Sequence, residues 1–60
     1  MQNVVNYSNM NQGYIVEVNN LVYFGRESQV NGLGIDFMEN ASKEALEEAG
    51  FEFCYGKNGY

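Results

Sequence analysis

Two runs of β-branched and aromatic residues, YIVEV and LVYFG, are separated by Asn19 and Asn20 alone. A two-residue connection needs positive φ at its centre, which asparagine tolerates, so this spacing predicts a tight β-hairpin. The loop length also sets the register. It pairs Val18 with Leu21, Val16 with Tyr23 and Tyr14 with Gly25, all on one apolar face, with Tyr14 placed to cover the bare backbone at Gly25. Ile15, Val22 and Phe24 then project to the opposite face, with Glu17 the one polar residue among them. A second apolar face has to meet something, and the choices are the N-terminal segment, another copy of the chain, or a partner.

The flanks are read against that hairpin. Residues 1–13 are polar and rich in asparagine, with Val4 and Val5 as the only adjacent β-branched pair, which suits an arm or a short edge strand. The stretch GRESQVNGLGIDF admits two readings. Asn31-Gly32 is a strong hairpin dipeptide and would make residues 33–37 a third strand; alternatively Asp36 is an N-cap with Glu39 three residues on, and a helix starts early. The two glycines of NGLGI weaken a helix there and favour the strand. From about Asn40 to Ala49 a helix is expected, because Met38, Ala41, Ala45, Leu46 and Ala49 follow the spacing of a buried stripe. Gly50 supplies the left-handed residue that ends it, and Phe51 folds back on Leu46. Phe51, Phe53 and Tyr55 alternate with Glu52 and Cys54 as a last strand, and the tail GKNGY is a turn or a frayed end. The expected architecture is α+β, a small antiparallel sheet of three to four strands with one helix packed on one face, forming a single domain over residues 1–60.

A chain of 60 residues buries only about 60% of the surface that its unfolded form exposes. One cysteine cannot close an internal disulfide, and with no histidine the usual zinc sites are missing too, so association is a natural source of further burial. Composition nonetheless favours folding: 45% hydrophobic and 15% aromatic residues with no proline argue against disorder. The opening MQNVVNYSNMNQ has neither a basic region nor an apolar run, so no signal peptide is expected. Together with the free thiol this suggests a cytoplasmic protein, in which the sequons at Asn6 and Asn40 are chance occurrences.

Chemistry-bearing residues are few. Without histidine no relay can be assembled for Cys54 or for any serine, and Cys54 reads as a small, half-buried hydrophobe on the last strand. The acids lack the spacing of a calcium loop, and GLGIDF lacks both the third glycine of a dinucleotide site and a phosphate-binding lysine. No cofactor, no metal and no enzymatic activity are therefore expected. Tyr14, Tyr23, Phe51 and Phe53 are assigned to core packing, since nucleic-acid binders interleave aromatics with bases and Arg26 is the only base before Lys43.

What remains is charge. The net charge of −5 is uneven, at −1 over residues 1–35 and −4 over residues 36–60. Such a surface repels phosphate and so argues against direct nucleic-acid or membrane binding, while it permits a larger basic protein as partner. The candidate contact residues are Asp36, Glu39, Glu44, Glu47, Glu48 and Glu52, with Lys43 four residues from both Glu39 and Glu47. Tyr23, Phe24 and Arg26 form a second candidate, an aromatic and arginine cluster on the sheet. In size, acidity and turn-rich composition the chain resembles the small accessory or inhibitor proteins of phages and mobile elements, a likeness of style that no motif carries. That likeness implies a non-enzymatic inhibitor or modulator of a nucleic-acid-handling protein, in the limit a nucleic-acid mimic. The rival expectation is a self-associating module, a homodimer closed through Ile15, Val22 and Phe24.

Overall fold

The structure, a computed structural model, describes residues 2–57, so most of the GKNGY tail lies outside the described residues. Asn19 and Asn20 adopt φ of 50° and 65°, and the strands they join, β2 (Gly13–Val18) and β3 (Leu21–Arg26), pair in the register that a two-residue loop imposes. Residues 1–13 contribute a strand and not a free arm. β1 (Val4–Ser8) pairs antiparallel with β2, and Asn3 ties its start to the helical layer. The Asn3 backbone N–H donates to the Glu39 carbonyl at 2.7 Å, and its side-chain amide donates to the carbonyls of Met38 and Ala41 at 3.0 and 2.8 Å. Carbonyls at a helix C-terminus have no partner within the helix, and one asparagine here satisfies three of them.

Asn31-Gly32 does turn the chain, but not between strands. Asn31 has φ −60° and ψ 120°, Gly32 has φ 92°, and the Leu33 N–H donates to the Val30 carbonyl at 2.9 Å. Those angles describe a type II turn, whereas a two-residue hairpin requires positive φ at both central residues. The turn joins two helices, α1 (Glu27–Val30) and α2 (Gly34–Asn40), so the expectation of a third strand at residues 33–37 is corrected. The alternative start at Asp36 is corrected as well, since α2 begins two residues earlier and Asp36 lies in its first turn.

The helix expected from about Asn40 to Ala49 is present but starts three residues later, separated from α2 by a break. Ala41 is extended at ψ 143°, and Ser42 restarts the chain as an N-cap whose hydroxyl accepts from the Ala45 N–H at 3.2 Å, opening α3 (Lys43–Glu48). The apolar stripe survives the break, with Met38 and Leu46 buried and Ala41, Ala45 and Ala49 partly so. Gly50 has φ 97°, its N–H donates to the Glu47 carbonyl and that of Phe51 donates to Leu46, which are the two bonds of a Schellman cap.

β4 (Glu52–Gly56) then returns along the free edge of β3. The fold is thus α+β, a four-stranded antiparallel sheet in the order β1-β2-β3-β4 with three short helices on one face. Val16, Val18 and Tyr23 from the sheet meet Val30, Met38, Leu46 and Phe51 in the core between the layers. Of the four aromatics assigned to core packing, Tyr23 and Phe51 are buried in the core, Tyr14 packs against its edge, and Phe53 departs from the assignment. The ring of Phe51, more than that of Tyr14, occupies the space beside Gly25. Tyr14 packs edge-on against Tyr7 at 5.0 Å. Phe53, expected in the core, is 53% exposed on the edge strand, where its ring meets that of Tyr23 edge-to-face at 5.6 Å.

Candidate functional site

The acidic residues expected to share one helix face divide between α2 and α3, because the extended Ala41 separates the two helices. Asp36, Glu44 and Glu48 are exposed and make no ion pair among the described residues, while Glu39 is partly buried against the sheet layer. Glu52 stands apart from all of them, on β4 opposite Phe24. Lys43 has chosen one of its two potential partners: its Nζ lies 3.4 Å from Oε2 of Glu47, and it makes no ion pair with Glu39 across the helix break. The Glu47 charge raises the Lys43 pKa above its ordinary value.

Glu47 has a second duty that spacing could not show. Tyr23 is 1% exposed, and its hydroxyl donates to the same Glu47 oxygen at 2.9 Å. A buried phenol left without an acceptor would be costly, so Glu47 belongs to the fold as much as to the acidic surface. Burial is the main cause that raises the Tyr23 pKa, and the hydrogen bond to Glu47 adds to it, because both favour the neutral phenol.

The proposed aromatic and arginine cluster is not assembled. Tyr23 faces the core, and Phe24 and Arg26 project from the opposite side of the same strand. Tyr23 is therefore corrected from a contact residue to a core residue. Arg26 makes no ion pair among the described residues and stands at an open cleft of about 730 Å³, lined also by Asn11, Gln12, Glu27 and Asn31. Its backbone N–H donates to the Gln29 side chain at 3.0 Å, the bond that starts α1. Glu27, the next residue, accepts from the Tyr7 hydroxyl at 2.8 Å, which raises the Tyr7 pKa.

The face of the sheet turned away from the helices is mixed, with Val4, Ile15, Val22, Phe24 and Tyr55 set among Asn6, Ser8, Glu17, Arg26 and Glu52. Val4 and Tyr55 are more than half exposed, Ile15 and Phe24 partly so, and Val22 is buried between Glu17 and Tyr55 on its neighbouring strands. The Lys57 Nζ reaches over β3 to Oε1 of Glu17 at 2.7 Å, and that hydrogen bond is the main cause raising the Lys57 pKa. Cys54, expected to be half-buried, is exposed. Tyr23 pairs with Phe53 and Val22 with Tyr55, so Cys54 is the extra residue of a β-bulge and loses its place in the ladder.

Among the described residues no group of three or more histidine, cysteine or carboxylate side chains could hold a metal ion, and no helix is long and apolar enough to cross a membrane. The arrangement is that of a small α+β domain with two contrasting surfaces, one helical and acidic, the other a sheet face of mixed apolar and charged residues without net charge. The chain matches no family model, no curated protein and no solved structure.

Proposed function

We propose that this chain is a non-enzymatic protein-binding domain whose acidic helical layer docks on a larger basic protein. The observation that carries the reading is that Asp36, Glu44 and Glu48 are exposed on the helices without any ion pair among the described residues. Charge left free in this way steers association with a surface of opposite sign. A groove that normally holds a phosphate backbone is the basic surface best suited to a row of carboxylates, so the partner is proposed to be a nucleic-acid-handling protein, inhibited or modulated by occupation of that groove. A cytoplasmic setting goes with the exposed thiol of Cys54.

The experiment is affinity capture from cells that make the chain, with the immobilised parent set beside an Asp36→Lys, Glu44→Lys, Glu48→Lys variant. Glu47 is left alone because it accepts from Tyr23. The parent should retain a basic protein that raised salt or an added oligonucleotide releases, and the variant should retain none. Capture of the same protein by the variant would sink the proposal. Release by salt but not by oligonucleotide would remove the nucleic-acid groove and leave a basic partner of another kind.

A further inference from the structure

We infer that the outer edge of β1 is a docking site for an extended basic segment of a partner protein, which adds there as a further strand of the sheet. The register shows which backbone groups are open. Asn19 and Asn20 close a two-residue loop on the hydrogen-bonded pair of Val18 and Leu21, so Val16 and Tyr14 bond toward β3, while Glu17 and Ile15 bond toward Val4 and Asn6 of β1. The N–H and C=O of Val5 and Tyr7 therefore point out from the edge of the sheet. Asn3 has the same parity, and its N–H is the one that the Glu39 carbonyl takes. Among the described residues no backbone group outside the sheet bonds Val5 or Tyr7, so the edge is closed by α2 at Asn3 and open beyond it.

The two edges of the sheet are finished differently. β4 carries the bulge at Cys54, with Glu52 at its start and Lys57 just past its end. A bulge and charged residues are the features that keep an edge from pairing. β1 has neither, since its five residues pair one to one with β2 and VVNYS holds no charge and no proline. Such an edge offers an evenly spaced ladder to an incoming strand.

Charge selects the occupant. β1 is itself neutral, but an acidic residue stands at each end of its open edge. The Tyr7 hydroxyl donates to Glu27, the Asn3 N–H donates to the main chain of Glu39, and neither acid has an ion pair among the described residues. Val5 and Tyr7 share the helical side with Val16 and Tyr14. Alternate side chains of an added strand fall on that same side, between Glu27 and Glu39, where lysine or arginine meets unpaired acids. A second copy suits the edge badly, because its β1 brings no base and its net charge of −5 repels the first. The inference goes beyond the docking of Asp36, Glu44 and Glu48 and uses none of them.

The test is an NMR titration of the unmodified chain at low salt with a short peptide that alternates lysine and valine. The amides of Val5 and Tyr7 should shift and exchange more slowly with solvent, with a dissociation constant of about 1 mM for about four backbone bonds. A twin peptide methylated on the backbone nitrogen of every lysine keeps each charge but loses its donors to β1, and should not bind. A glutamate and valine twin should not bind either. Glu27→Gln with Glu39→Gln, in which residue 27 keeps an acceptor for Tyr7, should raise the dissociation constant about fivefold. Equal binding of the methylated twin overturns the added strand, and equal binding of the acidic twin overturns the basic occupant. Shifts centred on β4 or α3, or no shift at several times the expected dissociation constant, overturn the site. Shifts of Val5 and Tyr7 with chain concentration alone give the edge to a second copy and overturn the inference as well. The helical layer's partner takes no part in this titration, so either reading can fail without the other.

Discussion

The two faces of the one sheet are built from alternate residues of the same strands, yet they are finished in opposite ways. On the helical side Val16 and Tyr23 disappear into a core closed by Leu46 and Phe51, and the one buried hydroxyl finds an acceptor in Glu47. On the other side Val22 alone is buried, and its apolar neighbours stay open to solvent. Stability and negative charge are consequently concentrated in the same layer. A charge removed from the helical side risks the fold, as at Glu47, whereas the apolar residues of the open face do little for it.

That contrast makes a graded series of measurable costs. Leu46→Ala should have the largest effect, about 3 kcal/mol, because the side chain is fully buried and its loss leaves a cavity in the core. A domain of 60 residues holds only about 3–9 kcal/mol in total, so urea denaturation should find this variant barely folded. Adjacent residues test the faces directly. Val16→Ala should cost about 2 kcal/mol, since Val16 is wholly buried, and Ile15→Ala under about 1 kcal/mol, since its side chain is partly wet. Equal losses in paired melts would erase the distinction between core and open face.

Two smaller changes probe how the helical layer is held. Gly50→Ala should cost about 1 kcal/mol, because a β-carbon is strained at φ 97°, and a stabilised variant would show that the cap can be rebuilt. Tyr23→Phe should cost about 1 kcal/mol through the lost bond to Glu47, and it carries a pH signature. The folded state raises the pKa of Tyr23 above its ordinary value near 10, so the neutral phenol is favoured on folding. Its contribution is complete below the unfolded pKa and is lost as pH rises through the folded one. Lys43 and Lys57, also raised, lose their share in the same direction. Denaturation at about pH 8 and about pH 11 should therefore show a smaller alkaline loss for Tyr23→Phe than for the parent, and identical losses would exclude Tyr23 from the alkaline transition. Smallest of all, reversal of Glu44 and Glu48 should move stability by less than about 0.5 kcal/mol, because both are exposed and unpaired among the described residues and lysine matches glutamate in helix propensity.

Local geometry was legible wherever one or two residues decide it. Asn19 and Asn20 specified both the hairpin and its register, and Gly50 with Phe51 specified the cap, because the positive φ and the reach back to Leu46 involve only neighbours in the chain. The candidate surface was legible only in part. The position of the free acids followed from the stripe of Met38, Ala41, Ala45, Leu46 and Ala49, but the tie between Glu47 and Tyr23 joins residues 24 apart and left no trace in either segment.

Tertiary structure decided what depends on competition for a place. Residues 33–37 have the alternation of a strand, but the free edge of β3 is taken by β4, and Met38 finds its burial in a helix over the sheet. Asn31-Gly32 is compatible with a hairpin or a type II turn, and the layer it must reach selected the second. Asn3 is an unremarkable polar residue until α2 brings three open carbonyls beside it. The bulge at Cys54 interrupts the alternation of the last strand where it pairs with β3, and Phe53, on that edge strand, stays exposed. The sequence alone determined the elements whose conformation a turn or cap residue dictates. Which edge each element takes, and which face stays bare, was decided by the packing of the whole, because burial is shared among segments far apart in the chain.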